Sequence, residues 1–443
     1  MKALLHLFRP AYVRRFREIA RQEGLRPALR KAVHRVSLAL RGKSAAEALS
    51  LGGVRHGTRY QLSGFWSEMA RSDAFHVMET PSLQRRTRRI AVIGDLNLPQ
   101  CRKYRVEQLQ ELWQTGGVEL DYSHYEDTPR AIASLQSATH LLFYRLRASD
   151  LASMYLYEAR RLRLPVVYDI DDPLFSVSAY ETYGNMTAVD GGLKQHFMQE
   201  APGYLDVMNA CDAVSLSTPG LVEHARLYTR RPIFLRRNFA DRESLKAGAA
   251  ARRGRADKGA AAKAPFTVAF ASGSQGHEVD FRIMREDMIT FLQGDPDRRL
   301  LILGHFPKDS LPEELSGQIR YEPFTTYQSY LQKLAAADCA VMPLADDIFN
   351  RCKSGVRVID AASVGLACVV GRVGDMATMV QHEETGLVVG AQDSWLAALE
   401  ELAGDPGRTA RMGDSARRNL EIRWSARLEE PVTEKGFAQW VLE

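Results

Sequence analysis

Long apolar runs are missing from this 443-residue chain, and none approaches the length of a transmembrane helix. The N-terminus also lacks the continuous apolar core of a signal peptide. Cysteine is scarce: five residues, at 101, 211, 339, 352 and 368, an odd number without CxxC spacing. That argues against a disulfide framework and for reduced thiols in a cytosolic setting. The histidines are scattered, so no structural zinc site is indicated. There is no G-x-G-x-x-G and no Walker loop, which weakens an ordinary dinucleotide or P-loop reading. No RNA- or DNA-binding motif is present either. What remains is an ordinary soluble composition, 45% hydrophobic and 26% charged. Its length fits two domains and an extension.

The net charge of +5 matters less than where it lies. Residues 1 to about 45 carry twelve Lys and Arg against Glu18 and Glu23. Apolar residues recur at roughly helical spacing through Leu4, Phe8, Tyr12 and Phe16, and again through Leu29, Val33 and Val36. A basic amphipathic helix suits an anionic membrane surface. It also suits a solvated arm or a helix docked on another subunit. We read residues 1–88 as a basic helical N-terminal extension.

From Arg89 the pattern changes. Arg89-Ile90-Ala91-Val92-Ile93-Gly94, His140 to Tyr144 and Pro165 to Asp169 read as strands, with helices between them over Tyr104 to Trp113 and Ser149 to Leu162. Such alternation predicts an α/β domain with a parallel sheet, here over 89–240. Residues 241–264 are rich in Ala, Arg, Lys and Gly without an apolar period, and read as a linker. The alternation then restarts over 265–425, with strands at Phe266 to Phe270, Leu300 to Gly304 and Cys339 to Leu344. Closing helices are expected over Trp395 to Leu402 and Pro406 to Leu420, followed by a tail at 426–443. Ligands bind at the carboxyl ends of parallel strands. The candidate loops are therefore those after Gly94, at Asp169 to Asp172, at Gly273 to His277 and at Asp346 to Ser354.

The most informative stretch runs from Phe349 to Val370. It reads as a loop, a helix with Ser354 as N-cap and Gly365 after its end, and a buried strand. Lys353 sits where the helix begins, beside free backbone N–H groups, a combination that suits a diphosphate. Asp360 lies two turns on, near the same face, where a carboxylate can accept from ribose hydroxyls. The same residues also fit a helix packed on a sheet with a solvated Lys and a solvated Asp.

This stretch resembles the nucleotide-sugar motif of family-4 (group 1) glycosyltransferases, in the bacterial surface-polysaccharide branch that carries Asn-x-x-Lys-Ser before the helix. Here that signature is Asn350-Arg351-Cys352-Lys353-Ser354. Other family segments follow in order. They are Tyr104-Arg105-Val106, Tyr168-Asp169-Ile170-Asp171-Asp172, Ser217-Thr218-Pro219 with Asn238, Ser272-Gly273-Ser274-Gln275-Gly276-His277, and Glu384-Thr385-Gly386-Leu387. Together they span roughly residues 90 to 425. Family members usually carry two glutamates eight residues apart around the helix. Here Asp360 holds the second position and Cys352 the first, so one carboxylate that would hold the donor sugar is missing.

The resemblance implies a GT-B fold, in which two Rossmann-like domains with parallel sheets face a cleft and the tail crosses back to the first domain. It implies a donor side made by Gly273, Ser274, Arg351, Lys353, Ser354, Gly355 and Asp360. On the catalytic side, His277 would contact the donor or help position the sugar, and Asp171 or Asp172 would bind acceptor hydroxyls or lie near the reacting carbon; Tyr104, Arg105 and Asp169 would lie on the acceptor side. Each has a plainer reading: a βα turn at 272–274, a surface histidine, a helix N-cap at Asp171 or Asp172, a first helix that merely packs on its sheet. Asp169-Ile170-Asp171 matches the metal-binding DxD of another glycosyltransferase fold. That fold has one domain, and the resemblance to GT-B enzymes implies no catalytic metal and no cofactor, only a nucleoside-diphosphate sugar as co-substrate. The expected activity is retaining transfer of a hexosyl-type sugar to a glycan or lipid-linked acceptor, with the basic arm at the inner face of the cell membrane and no nucleic acid partner. The alternative is a catalytically silent GT-B scaffold in a polysaccharide assembly complex, for which Cys352 is the best support.

Overall fold

In the computed structural model, the described residues are 87–188, 191–256, 265–273 and 277–442, with ten single positions between 16 and 36. All ten are helical; Leu25, Leu29, Val33 and Val36 are exposed and Ala28 is buried. Most of the expected N-terminal extension lies outside the described residues. By its internal contacts the chain divides into residues 1–61 and residues 62–443, and the second unit contains two sheets.

The first sheet holds β1 (Arg89–Gly94), β2 (Glu119–His124), β3 (His140–Tyr144), β4 (Val166–Ile170), β5 (Ala213–Leu216) and β6 (Ile233–Leu235) in the order β2-β1-β3-β4-β5-β6. The second holds β7 (Thr267–Gly273), β8 (Arg299–Gly304), β9 (Ile319–Glu322), β10 (Cys339–Met342), β11 (Ala367–Gly371) and β12 (Gly386–Val389) in the order β12-β11-β10-β7-β8-β9. Every named pairing is parallel. Strands β3, β4, β5 and β10 are buried at every residue. This is why they read as unbroken apolar runs: helices cover both faces.

In each sheet the strand order reverses once, between β1 and β3 and between β7 and β10. Ligands of doubly wound sheets sit at such switch points. The expected two-domain α/β architecture is therefore present, and one continuous apolar cluster joins both halves, from Val92, Val106 and Trp113 to Val358, Ile359 and Val370. The segment read as a linker differs: it begins with a helix, Arg242–Ala256. Leu245, Ala247 and Ala251 of this helix pack into the shared cluster. Many of its other positions are Ala, Arg and Lys, good helix formers that give no strong apolar period. Residues 257–264 lie outside the described residues. Near the end of the chain, helix Lys435–Leu442 sets Phe437 edge-on against Trp113 and stacks it on Phe234, both of the first sheet's half.

Candidate functional site

The segment Phe349 to Val370 folds as helix Ile348–Arg351, a short loop, helix Val356–Ser363 and β11. The end of the second helix follows the sequence: Gly365 has φ +76°, Gly365 N–H donates to Ala362 O and Leu366 N–H to Ala361 O. These are the two bonds of a Schellman cap, and they need the left-handed conformation that glycine adopts cheaply. The start differs. Ser354 is not the N-cap; Gly355 is, and Ser354 Oγ instead accepts from Asn238 Nδ2 of the first domain at 3.0 Å. A tertiary partner outcompetes the local cap.

Lys353 stands in the loop between β10 and this helix. Its ammonium lies 3.9 Å from Asp172 Oδ1 and over the rings of Phe349 and Tyr183, 4.8 and 5.5 Å from their centroids. Burial works against its charge, but Tyr183 and Asp172 outweigh it, so the ammonium is held more firmly protonated than usual. Asp172 is the counterpart. Burial disfavours its charge, yet Lys353 and Arg145 pull its pKa below the usual carboxylate value. Arg145 donates to Asp171 Oδ1 at 2.5 Å and to Asp172 Oδ2 at 2.7 Å. It follows directly after β3 with φ +50°, an uncommon conformation for a non-glycine side chain. Sequence reading passed over Arg145, although its place at a switch point was a signal.

His277 opens the short helix Glu278–Phe281 after β7. Its Nδ1 bonds Asp280 Oδ2 at 2.9 Å. Burial, with Arg357 and Lys353 adding repulsion, lowers its pKa to about 4 against the pull of Asp280. It is therefore neutral at pH 7, and Asp280 as acceptor puts the proton on Nδ1 and leaves Nε2 as the lone-pair nitrogen. Asp280 is itself fully buried and also accepts from Asn185 Nδ2 (2.8 Å), Asn350 Nδ2 (2.9 Å) and Ala345 N–H (3.0 Å). Asn185 belongs to the first domain, so one buried carboxylate ties the histidine loop to both halves. Gly273 precedes this loop with φ +71°; Ser274 lies outside the described residues.

Arg357, four residues after Lys353 and in the first turn of helix Val356–Ser363, was also missed. Its Nη1 is buried with no hydrogen-bond partner, and burial lowers the pKa of the guanidinium. Lys353, Arg357 and His277 thus cluster at the β7/β10 switch point, with Asp172 and Arg145 across from them. This arrangement can hold an anion between the cations and place a neutral imidazole beside it.

Other expected site residues are committed elsewhere. Arg105 and Asp169 are fully buried and bond each other bidentately, at 2.9 and 2.6 Å, while Arg236 adds a third bond at 2.9 Å. No acceptor can touch them; they brace the first sheet. Tyr104 is buried as well, and its hydroxyl donates to Asp360 Oδ1 at 2.6 Å. Tyr327 donates to the same oxygen at 2.8 Å. The expected ribose acceptor is therefore occupied by two tyrosines, and burial raises its pKa to about 6. Cys352 does not face the cleft. It packs in the first domain's apolar cluster with Leu221 and Ile170, while its carbonyl accepts from Thr218 Oγ1 at 3.0 Å. A Cβ on Gly220 would lie 2.2 Å from the Arg351 carbonyl, so this docking needs glycine. Arg351 itself is exposed and pairs with Asp346 at 2.6 Å, away from Lys353. Among the described residues no group of three or more His, Cys, Asp or Glu is placed to hold a metal ion; Asp169, Asp171 and Asp172 are all matched to arginines.

Residues 268–405, which contain His277, Lys353 and Arg357, match the family described as glycosyl transferases group 1. The match covers about a third of the chain. Among its curated relatives is the D-inositol 3-phosphate glycosyltransferase of Thermobispora bispora, 31% identical over 122 residues, 26% of this chain and 27% of that protein. Another is a GDP-mannose-dependent monoacylated alpha-(1-6)-phosphatidylinositol monomannoside mannosyltransferase of Corynebacterium glutamicum, 31% identical over 138 residues, 29% of this chain and 36% of that protein. The chain thus spans about a quarter to a third of the length of these relatives. The likeness to a solved glycosyltransferase from Rickettsia africae runs through both sheets: TM-score 0.51 at 10% identity, covering 77% of this chain and 95% of that one. The segment that matches group 1 glycosyl transferases therefore sits in a two-domain GT-B fold, as the sequence motifs implied.

Proposed function

We propose that this chain is a retaining glycosyltransferase. It moves a hexosyl-type sugar from a nucleoside-diphosphate sugar to a glycan or lipid-linked acceptor in the building of a cell-surface polysaccharide. The observation that carries the reading is the pair of cations at the second sheet's switch point. Lys353 is only loosely paired, at 3.9 Å from Asp172, and Arg357 Nη1 has no partner. A leaving nucleoside diphosphate gains negative charge as the glycosidic bond breaks, and fixed cations in a dry cleft stabilise that charge. Neutral His277, held by Asp280, orients the sugar or its diphosphate by a hydrogen bond. Asp171 and Asp172, fixed by Arg145, face the reacting carbon, where negative charge favours developing positive charge on the ring.

The membrane part of the reading rests on the basic arm of residues 1–45 and the exposed Leu25, Leu29, Val33 and Val36. The corynebacterial relative is named for a lipid-linked acceptor, which supports it. Among the described residues no helix is long and apolar enough to cross a membrane, so contact would be peripheral, at the inner face. Removing residues 1–45 should abolish flotation with anionic liposomes; unchanged flotation rules the arm out.

The buried Cys352 and the capped Asp360 favour a second reading, a scaffold without catalysis. A thermal-shift screen against UDP, GDP, dTDP, CMP and their sugar conjugates separates the two. Stabilisation by one nucleotide, lost in Lys353→Ala, supports the enzyme. No shift with any of them supports the scaffold.

A further inference from the structure

Beyond β1 and β2 lies an open pocket of about 300 Å3. Its walls are the loop after β1 (Leu96, Asn97), the end of β2 (Tyr122, Ser123, His124) and the start of helix Thr128–Ser137 (Asp127, Arg130), with Arg102 closing one side. Such a volume lies at the lower end for small-molecule sites and suits one or two sugar rings.

The pocket lies at the carboxyl ends of β1 and β2, on the same edge of the sheet from which Asp171 and Asp172 follow β4. In the order β2-β1-β3-β4, β2 stands three strands from β4, or about 14 Å at the usual strand spacing. A ligand in the pocket is therefore offset from Asp172 by more than one sugar ring.

Tyr122, His124 and the two arginines of its wall are already engaged, but three other polar groups are unspent. Ser123 Oγ is buried without a partner. Asp127 occupies the N-cap position of its helix, yet its carboxylate caps nothing. Part of the reason is Pro129, which removes one of the N–H groups a cap would bond. The Asn97 side chain makes no bond among the described residues, whereas its backbone N–H is tied to Asp95. Arg102 and Arg130 lie over Tyr122, 5.6 and 5.9 Å from its centroid, with guanidinium donors to spare. Each is already matched to a carboxylate, Glu107 and Asp121. The pocket is therefore no trap for a phosphate. A carboxylate, an amide, a hydroxyl and shared guanidinium donors are what a neutral polyol needs, because each sugar hydroxyl both donates and accepts.

We propose that this pocket seats an inner sugar residue of the acceptor, at least one unit removed from the hydroxyl that reacts. The acceptor is then a glycan already carrying two or more sugars, not a bare lipid phosphate or a single alcohol. This rests on the glycosyltransferase reading above and adds the class of acceptor.

The test uses the full chain on an array of immobilised mono- and oligosaccharides, beside nucleotide-sugar thermal shifts on the same preparation. The expected result is binding to oligosaccharides sharing one inner residue. Asp127→Ala and Asn97→Ala should weaken it at least tenfold, with an unchanged melting temperature. Asp127→Asn keeps the shape if the alanine variant folds poorly. Equal binding by all variants overturns the proposal. So does the absence of any oligosaccharide binding in a preparation that binds a nucleotide sugar. Oligosaccharide binding that depends on Asp127, without any nucleotide shift, upholds the pocket and overturns the donor reading instead.

Discussion

The two sheets carry opposite charges at the carboxyl ends of their strands, and satisfy them to different degrees. On the first sheet the acids are closed accounts: Asp169 is locked by Arg105 and Arg236, and Asp171 and Asp172 by Arg145. On the second the bases are left short: Arg357 lacks one partner and Lys353 reaches Asp172 only at 3.9 Å. A buried ion costs desolvation free energy unless it is paired. Asp169 therefore reads as scaffold and Asp171 and Asp172 as acids held in place, whereas the second end keeps capacity for an anion that arrives from outside.

The sharpest way to break this contrast is Asp169→Ala. It strands two buried guanidiniums and should destabilise the fold by about 3–5 kcal/mol, measured by urea unfolding. A loss below about 1 kcal/mol would show that the acid is not structural. Next comes Lys353→Ala. Here binding should suffer and folding should not. Nucleotide affinity should drop tenfold or more, since bonds to charged groups contribute about 1.5–3 kcal/mol, while the melting temperature stays within a few degrees. Arg357→Ala should act in the same direction.

A smaller effect concerns pH. His277 titrates near 4 in the fold instead of 6.5. Between those values the unfolded chain binds a proton that the folded chain refuses, so stability falls as pH drops from 6.5 towards 4. His140, buried against Trp440, is lowered to about 4 as well and adds to the same fall. Asp360, raised to about 6, does the opposite: the folded chain takes up its proton first, so this group recovers stability as pH falls from 6 towards 4. Asp360→Asn removes that opposing trend. The acid loss of stability should steepen by about 1–2 kcal/mol across pH 6 to 4; an unchanged slope would mean that Asp360 is not buried in solution. The least effect is expected for Arg351→Ala, whose exposed pair with Asp346 should matter neither to nucleotide binding nor to the melting temperature. Weakened nucleotide binding would return Arg351 to the site.

Much of this was legible in the chain. The central strands stood out because burial on both faces demands unbroken apolar runs, as at Leu141 to Phe143 and Val166 to Val167. Edge strands did not. β2, with the sequence Glu-Leu-Asp-Tyr-Ser-His, has a single strand neighbour and is mostly half-exposed, so no apolar signal marked it. The helix Arg242–Ala256 hid behind a composition that also serves linkers. Within the site, Lys353 and His277 were found by motif and position, and the structure brings both to one switch point.

What the sequence determined by itself was local: the order of strands and helices, the glycine that ends helix Val356–Ser363, and the loops that would carry chemistry. These follow from burial periodicity and backbone conformation, which act over a few residues. The tertiary structure alone decided which polar groups are spent. Tyr104 reaches Asp360 across 256 positions of chain, Arg105 reaches Asp169 across 64, and Asn238 takes Ser354 across 116. Satisfying a buried polar group depends on what folds against it, whatever lies beside it in sequence. So a carboxylate expected to hold a ribose became a contact between domains, and an overlooked arginine was left with an open hydrogen bond.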